Sequence, residues 1–265
     1  MTAAPLIELI NVSKSFDGER SHALFDVSLR IDSGRFVAVV GASGSGKTTA
    51  LKMINRLLEP DRGEVRFDGE AVESFDAPTL RRRIGYVFQG VGLFPHMTVG
   101  ENIAITPNLL RWSRSDIEAR VAELLDLVEL PRSFAGRFPH ALSGGQRQRA
   151  GVARAIAARP RVMLMDEPFG ALDPVTRDAL GTAYRSLHDR LGMTTVMVTH
   201  DVQEAVLLAD RIIVMGAGRI VADDTPGALL SGHPSAEVSA LMAMPRRQAE
   251  RIRTLLEANG SAGTR

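Results

Sequence analysis

Three short runs near the start of the chain, "LIELINV" (6–12), "ALFDVSLRI" (23–31) and "RFVAVVG" (35–41), read as strands separated by turn residues. The third has almost no polar interruption, which is the pattern of a strand covered on both faces. A glycine-rich turn follows, and "KTTALKMINRLL" then brings apolar residues at helical spacing. "GEVRFDG" (63–69) and "IGYVFQ" (84–89) are further strands, the second preceded by a short basic helix. From about 97 to 160 the pattern turns helical: "SRSDIEARVAELLDLVEL" places Ile117, Val121, Leu124, Leu125 and Val128 on one stripe. Ser115 with Glu118 three positions on predicts a capping box for that helix. Strand and helix then alternate through "RVMLMDE", "PVTRDALGTAYRSLHDRLG", "TTVMVTH" and "DVQEAVLLA" to a hairpin, "DRIIVMGAGRIV". The segment "MPRRQAERIRTLLEANGSAGTR" predicts a basic helix over Ile252, Leu255 and Leu256 that fades into a disordered end.

Strands alternating with helices on both sides of a helical block predict an α/β fold, with a mainly parallel, doubly wound sheet and a helical insertion. No internal repeat or sustained heptad pattern is present. The expected organisation is one domain over residues 1–240, its helical subdomain at about 91–160, followed by a basic helical tail over 241–265.

Composition narrows the classes. A chain of 265 residues with 45% hydrophobic and 24% charged residues is ordinary globular sequence. The net charge of +1 gives no electrostatic case for nucleic-acid binding. The absence of cysteine excludes disulfides and thiolate metal sites and fits a reducing compartment. "MTAAPLIELINV" carries no basic segment followed by an apolar one, so no secretory leader is expected. Runs such as "FVAVV" are far shorter than the roughly 18 apolar residues of a membrane helix, so a soluble chain is expected.

"GASGSGKTT" (41–49) fits the phosphate-loop pattern G-x-x-x-x-G-K-[ST], between a buried strand and a helix. Glycines let successive backbone N–H groups converge on a phosphate chain, and the helix adds the positive end of its dipole. Gly41, Ser43, Gly44, Ser45, Gly46, Lys47, Thr48 and Thr49 are therefore the expected nucleotide contacts, with Lys47 a point charge on the β- and γ-phosphates. Lysine stands only at positions 14, 47 and 52 among 32 basic residues, so its use in the loop is selective. Thr48 and Asp166 are expected to hold Mg²⁺, Asp166 at the tip of a strand that should lie beside the one entering Gly41. Glu167 is the candidate to polarise the attacking water. His200 ends a third buried strand, where it suits the γ-phosphate or that water. The Gln89 amide opens a glycine- and proline-containing loop and can reach the metal or the water.

The stretch "LSGGQRQRAGVARAIAARPRVMLMDEPFGALD" (142–173) completes the picture. "SGGQ" at a helix start is a second anion site, made of bare amides, a serine hydroxyl and a helix dipole, with no metal ligand or base of its own. Taken with the phosphate loop, Gln89, "LMDEP", "ALD" and "THD", it makes the chain resemble the nucleotide-binding subunit of ABC transporters over residues 6 to 235. The resemblance implies a P-loop NTPase fold of the RecA-like kind, with an N-terminal antiparallel β subdomain and an inserted α-helical subdomain. It assigns Phe16 to stacking on adenine, Gln89 to the Q-loop, Ser143, Gly144, Gly145 and Gln146 to the signature, Asp173 to the D-loop and His200 to the switch. It implies an ATP-sandwich dimer with a second copy, each ATP lying between one chain's loop and the other's signature.

The resemblance also implies two integral membrane permease subunits, docked around Gln89–Thr98, and a periplasmic or extracellular solute-binding protein. The chain would then sit peripherally on the cytoplasmic face of the inner membrane. "LKMINRLLEPDRGEV" and "RRRIGYVFQGVGLFPHMTVGENIA" are most similar to importers of osmoprotectants, the glycine betaine, choline and carnitine class of quaternary amines. Many of those carry a regulatory pair of CBS domains after the ATPase, for which 265 residues leave no room, so ionic-strength sensing by this subunit is not expected. The alternatives are an importer of polar amino acids or another small solute, an ABC ATPase of DNA repair or translation, and a non-hydrolysing binding module. The interval between the two glycine motifs lacks the coiled coil of the repair proteins, and the chain has one ATPase half where the translation factors have two. Glu167 and His200 together disfavour the last.

Overall fold

The computed structural model describes residues 5–17, 21–90 and 92–262, with side chains through Thr254. The expected loose end at 263–265, the side chains of Leu255 and Leu256, Val91 at the subdomain boundary and the first four residues lie outside the described residues. The elements run β1 (Ile7–Ser15), β2 (His22–Ile31), β3 (Phe36–Gly41), α1 (Lys47–Ile54), β4 (Arg62–Phe67), β5 (Glu70–Ala71), α2 (Ala77–Arg83) and β6 (Ile84–Val87). The helical block is α3 (Val99–Leu109), α4 (Arg114–Leu127) and α5 (Gly144–Ile156). Then come β7 (Val162–Asp166), α6 (Pro174–Leu191), β8 (Thr194–Val198), α7 (Val202–Leu208), β9 (Arg211–Gly216), β10 (Arg219–Asp224), α8 (Pro226–Ser231) and α9 (Ala236–Ala262).

Two sheets form. One is antiparallel, ordered β2-β1-β4-β5; the other is ordered β10-β9-β3-β8-β7-β6 and is parallel except for β10. Every residue of β7 and β8 is buried, and so are Phe36 to Val40 of β3. Because side chains alternate along a strand, these runs feed two separate cores. Phe36, Ala38, Val40, Met163, Met165 and Met197 face the helices, where Val99, Ile103, Leu124, Leu125 and Tyr184 pack. Val37, Val39, Leu164, Val196 and Val198 face α1 and the antiparallel sheet, with Ile7, Leu29 and Phe67. Burying one such side chain fully contributes about 1.5–3 kcal/mol.

The strand order corrects one expectation. Asp166 does not end a strand beside β3: β8 lies between them, pairing Val39 with Val198 on one side and Asp166 with Val198 on the other. Apolar runs show that strands are buried, but their order is set by crossovers between distant segments, which no local pattern encodes. Asp166 is still within reach of the phosphate loop because α1 packs along β3, β8 and β7 together.

The expected capping box at Ser115 is also displaced. Ser113 is the N-cap of α4, its hydroxyl accepting from Asp116 N at 3.1 Å, while Glu118 pairs with Arg114 at 2.8 Å. Two capping serines two residues apart compete, and the earlier one gains an extra helical residue pair. The C-terminal helix starts at Ala236, ahead of the expected boundary at 240/241, and Pro245 lies inside it. Val238 and Met242 are buried, so the first turns of this helix belong to the core.

Candidate nucleotide site

The phosphate loop leaves β3 and closes on α1. Gly41 has φ 147° and Gly46, the N-cap of α1, has φ 98°. A Cβ on Gly41 would stand 2.1 Å from Met215 O, and one on Gly46 would stand 2.2 Å from Ala23 O. Both positions therefore demand glycine for conformation and for space. Gly46→Ala should lower stability by about 2 kcal/mol, roughly 5 °C in melting midpoint, and a thermal melt with a wild-type midpoint would count against this close approach.

Ser43 is exposed at the loop tip beside Gly44, whose Cβ position meets open space. Ser45 is buried and its N–H donates to Ala42 O at 3.2 Å. Lys47 is buried, and its ammonium donates to Gly41 O at 2.9 Å and Ala42 O at 2.8 Å. Burial pushes the Lys47 pKa down, and the carboxylates of Glu167 and Asp166 pull it up. Thr48 Oγ1 donates to Asp166 Oδ1 at 2.9 Å, and Thr49 follows half-buried on α1. Burial raises the Asp166 carboxyl, helped by the charge of Glu167 and opposed by Thr48, Lys52 and Lys47.

Asp166 is the last residue of β7; Glu167, next in the chain, adopts φ 49°. This left-handed turn, pinned by Glu167 N donating to Val198 O at 2.9 Å, sends the two carboxylates in different directions. Glu167 Oε2 accepts from Gln89 Nε2 at 3.2 Å, and its Oε1 lies 3.3 Å from His200 Nδ1. Gln89, Glu167 and His200, 111 positions apart at the extremes by the numbering, thus meet at one strand edge. Gln89 stands two residues beyond the end of β6, and His200 two beyond β8.

Gln148 was not singled out by sequence, yet its Nε2 donates to Pro168 O at 2.6 Å and it is buried. It sits in the polar run "GGQRQR", where a buried glutamine and a solvated one look alike. It ties α5 to the turn that carries Glu167.

The donor set suits a hard divalent cation: a threonine hydroxyl, an aspartate and an amide oxygen are all oxygen ligands. Among the described residues no group of three or more His, Cys, Asp or Glu could hold a metal alone.

The remaining expected contacts lie elsewhere. Ser143 caps α5 in a reciprocal box with Gln146: its hydroxyl accepts from Gln146 N at 3.3 Å, and its own N–H donates to Gln146 Oε1 at 3.0 Å. Among the described residues no hydrogen bond or ion pair joins Ser143–Gln146 to residues 41–49. Gly145 packs on Leu172, whose Cδ2 would meet an added Cβ at 3.2 Å, whereas a Cβ on the exposed Gly144 would meet only the Arg147 guanidinium, at 4.0 Å. Asp173 caps α6 through Thr176 N at 3.0 Å, and that threonine holds its carboxyl below the usual carboxylate range. Phe16 is 64% exposed just past β1, with the Lys14 ammonium 5.9 Å from its ring centre.

Residues 24–170 match the family described as ABC transporter. The chain belongs to the ABC transporter family. As an ABC cassette it is 50% identical over 225 residues to the choline transport ATP-binding protein OpuBA of Bacillus subtilis (strain 168). That match covers 85% of this chain and 59% of OpuBA. It is 50% identical over 226 residues to the glycine betaine uptake system ATP-binding protein YehX of Escherichia coli (strain K12), covering 85% and 73% of the two chains. This ABC chain thus spans less than two thirds of the length of some curated relatives it matches, such as OpuBA. Among solved structures, a dimeric structure of the bacterial ABC transporter cassette MJ0796 superposes with TM-score 0.78 at 38% identity, over 83% of this chain and 98% of that one. Another dimer of the same cassette, in a post-hydrolysis state bound to ADP and Pi, gives 0.77 at 37% identity and the same coverage. The P-loop fold expected from the motifs is the fold observed, and the ABC family binds ATP.

Proposed function

We propose that the chain is the ATP-hydrolysing subunit of an ABC importer and that it drives solute uptake through separate permease subunits. The observation that carries this reading is the Glu167 carboxylate, with Gln89 on one oxygen and His200 on the other, beside the Lys47 loop. On this reading the phosphates of ATP lie over residues 41–49, where Gly46, Lys47, Thr48 and Thr49 present N–H groups and Lys47 balances the β- and γ-oxygens. Phe16 offers its exposed ring to the adenine. Glu167 accepts a proton from the water that attacks the γ-phosphorus, and His200 orients that water or the γ-oxygens. Thr48 and Asp166, with Gln89, would hold Mg²⁺, which when bound neutralises charge across the β- and γ-phosphates.

A second copy completes each site in this scheme. The start of α5 has unpaired helical N–H groups, an exposed Gly144 and no metal ligand of its own, which suits the outer side of a partner's γ-phosphate. The solved relatives are dimers. Asp173 would then lie at the seam. Ser143→Arg should bind ATP normally and fail to close, lowering turnover about a hundredfold or more through loss of transition-state contacts; wild-type turnover in this variant would rule out the composite site.

We assign the permease contact to a groove of about 410 Å³ lined by Leu57, Tyr86, Phe88, Phe94 and Arg154. Phe88 and Phe94 are exposed large apolar residues, as a docking surface requires. Arg154 Nη1 donates to Gly92 O at 2.6 Å and so ties this groove to the helix that begins after Ser143. No described helix is long and apolar enough to cross a membrane, so separate membrane subunits fit. The cargo we assign is a quaternary amine of the osmoprotectant class, delivered by a solute-binding protein, with the chain peripheral on the cytoplasmic side. The test is ATP turnover by the purified chain together with glycine betaine uptake in cells. Loss of uptake on deletion, restored by wild type and not by Lys47→Ala, is the expected result; unchanged uptake would reject this cargo.

A further inference from the structure

One guanidinium joins the loop that carries Asp173 to the turn that carries His200. Arg177 lies on the first turn of α6. Its Nη2 donates to the carbonyl of Leu172 at 3.2 Å, one residue before Asp173. Its Nη1 donates to Asp201 Oδ2 at 2.8 Å, one residue after His200. Its Nε is buried, makes no hydrogen bond, and stands 3.7 Å from Glu204 Oε1. The far side of the turn is held just as firmly. Glu204 Oε2 accepts from Thr199 Oγ1 at 2.7 Å, and that oxygen in turn accepts from Asp201 N at 3.0 Å. Asp201 also caps α7, accepting from Gln203 N at 2.9 Å. Thr199, His200 and Asp201 are therefore clamped between α7 and Arg177, while the His200 ring is left to face Glu167.

The same guanidinium is one contact away from the glycines of the signature. Gly145 packs directly on Leu172, and Leu172 is the residue whose carbonyl Arg177 holds. A rigid, planar fork fixes its two acceptors relative to one another more tightly than a single-point ammonium can. Leu172 O and Asp201 Oδ2 are thus held by one rigid group, with His200 next in the chain to Asp201.

We propose that Arg177 is a positioning residue for ATP hydrolysis, binding the Leu172–Asp173 loop to the Thr199–Asp201 turn so that pressure on Gly145 and Leu172 sets the His200 ring against Glu167. This rests on the hydrolytic reading above. A group misplaced by about 1 Å can cost up to a hundredfold in rate, so Arg177→Ala should lower kcat about tenfold or more. It should leave the KM for ATP within about twofold, because no Arg177 atom is placed at the nucleotide. Arg177→Lys keeps the charge beside Asp201 and Glu204 but loses the fork, so it should retain the wild-type melting midpoint with an intermediate kcat.

The deciding measurement is a cycle of single-turnover rates with His200→Ala. If Arg177 acts through the His200 turn, adding Arg177→Ala to His200→Ala should cost less than about twofold, because the two changes are not additive. Equal fold losses in both backgrounds, or wild-type kcat in both Arg177→Ala and Arg177→Lys, would overturn the proposal. An instability of Arg177→Ala shifts the test to Arg177→Lys, which answers the same question. Absence of ATPase activity in the wild-type chain is a separate outcome and would overturn the hydrolytic reading on which this rests.

Discussion

Glu167→Gln should bind ATP with undiminished affinity, hydrolyse it about 10²–10⁴-fold more slowly, and accumulate as an ATP-dependent dimer. The geometry explains why one atom matters so much. Glutamine keeps the length and branching of the side chain, so its oxygen can still accept from Gln89 Nε2, now at 3.2 Å from Glu167 Oε2. What it cannot do is take a proton from water. The nucleotide loop does not depend on it: Lys47, Thr48 and the backbone of 41–49 are fixed by β3, α1 and Asp166. Removing the carboxylate also removes a negative charge that helps to raise the Asp166 carboxyl, so triphosphate binding should hold or tighten. Phosphate release measures the first effect, and size-exclusion chromatography in Mg-ATP measures the second. Turnover near the wild-type rate would remove Glu167 from the role of base. A monomer in Mg-ATP would exclude the shared site.

The second large effect belongs to Lys47. Lys47→Ala should weaken ATP binding by about 2–3 kcal/mol, roughly 30- to 150-fold, the scale of losing a charge-assisted contact to a phosphate. Two loop carbonyls already hold the ammonium in place, so little side-chain entropy remains to be lost when phosphate arrives. Burial holds its pKa down, and an incoming triphosphate pushes it the other way, favouring the charged form. Lys47→Arg should rescue poorly, because a planar fork does not fit where a compact ammonium lies against the carbonyls of Gly41 and Ala42. Titration with a fluorescent ATP analogue reads both. An unchanged dissociation constant for Lys47→Ala would mean that the loop is not the phosphate cradle.

How much of this was legible in the sequence follows from which features are local. The buried strands were visible because β3, β7 and β8 are apolar on both faces, a pattern no exposed strand shares. The phosphate-loop pattern, the Asp166–Glu167 pair and the Ser143 turn are legible as candidates because each is written in adjacent residues. The sheet order was not, since the neighbours of Asp166 are set by segments far along the chain, and β8 took the place expected for β3. Ser113 and Ser115 both have the chemistry of a cap, and the helix takes the first, which lengthens it. Gln148 and Arg177 stayed hidden for a different reason. Long polar side chains in helices read as solvated faces, and the carbonyls and carboxylates that bury them come from remote loops.

The placement of β8 bears on synthesis as well as on chemistry. β3 and β7 both pair with β8 and neither pairs with the other, so while Thr194–Val198 is still inside the ribosome their facing edges have no partner. Unpaired parallel edges are sticky and slow to resolve. The nascent polypeptide therefore emerges with a gap between β3 and β7 that stays open until Thr194–Val198 leaves the ribosome, and the arrival of that one strand decides whether the earlier ones are sealed or left exposed to aggregation.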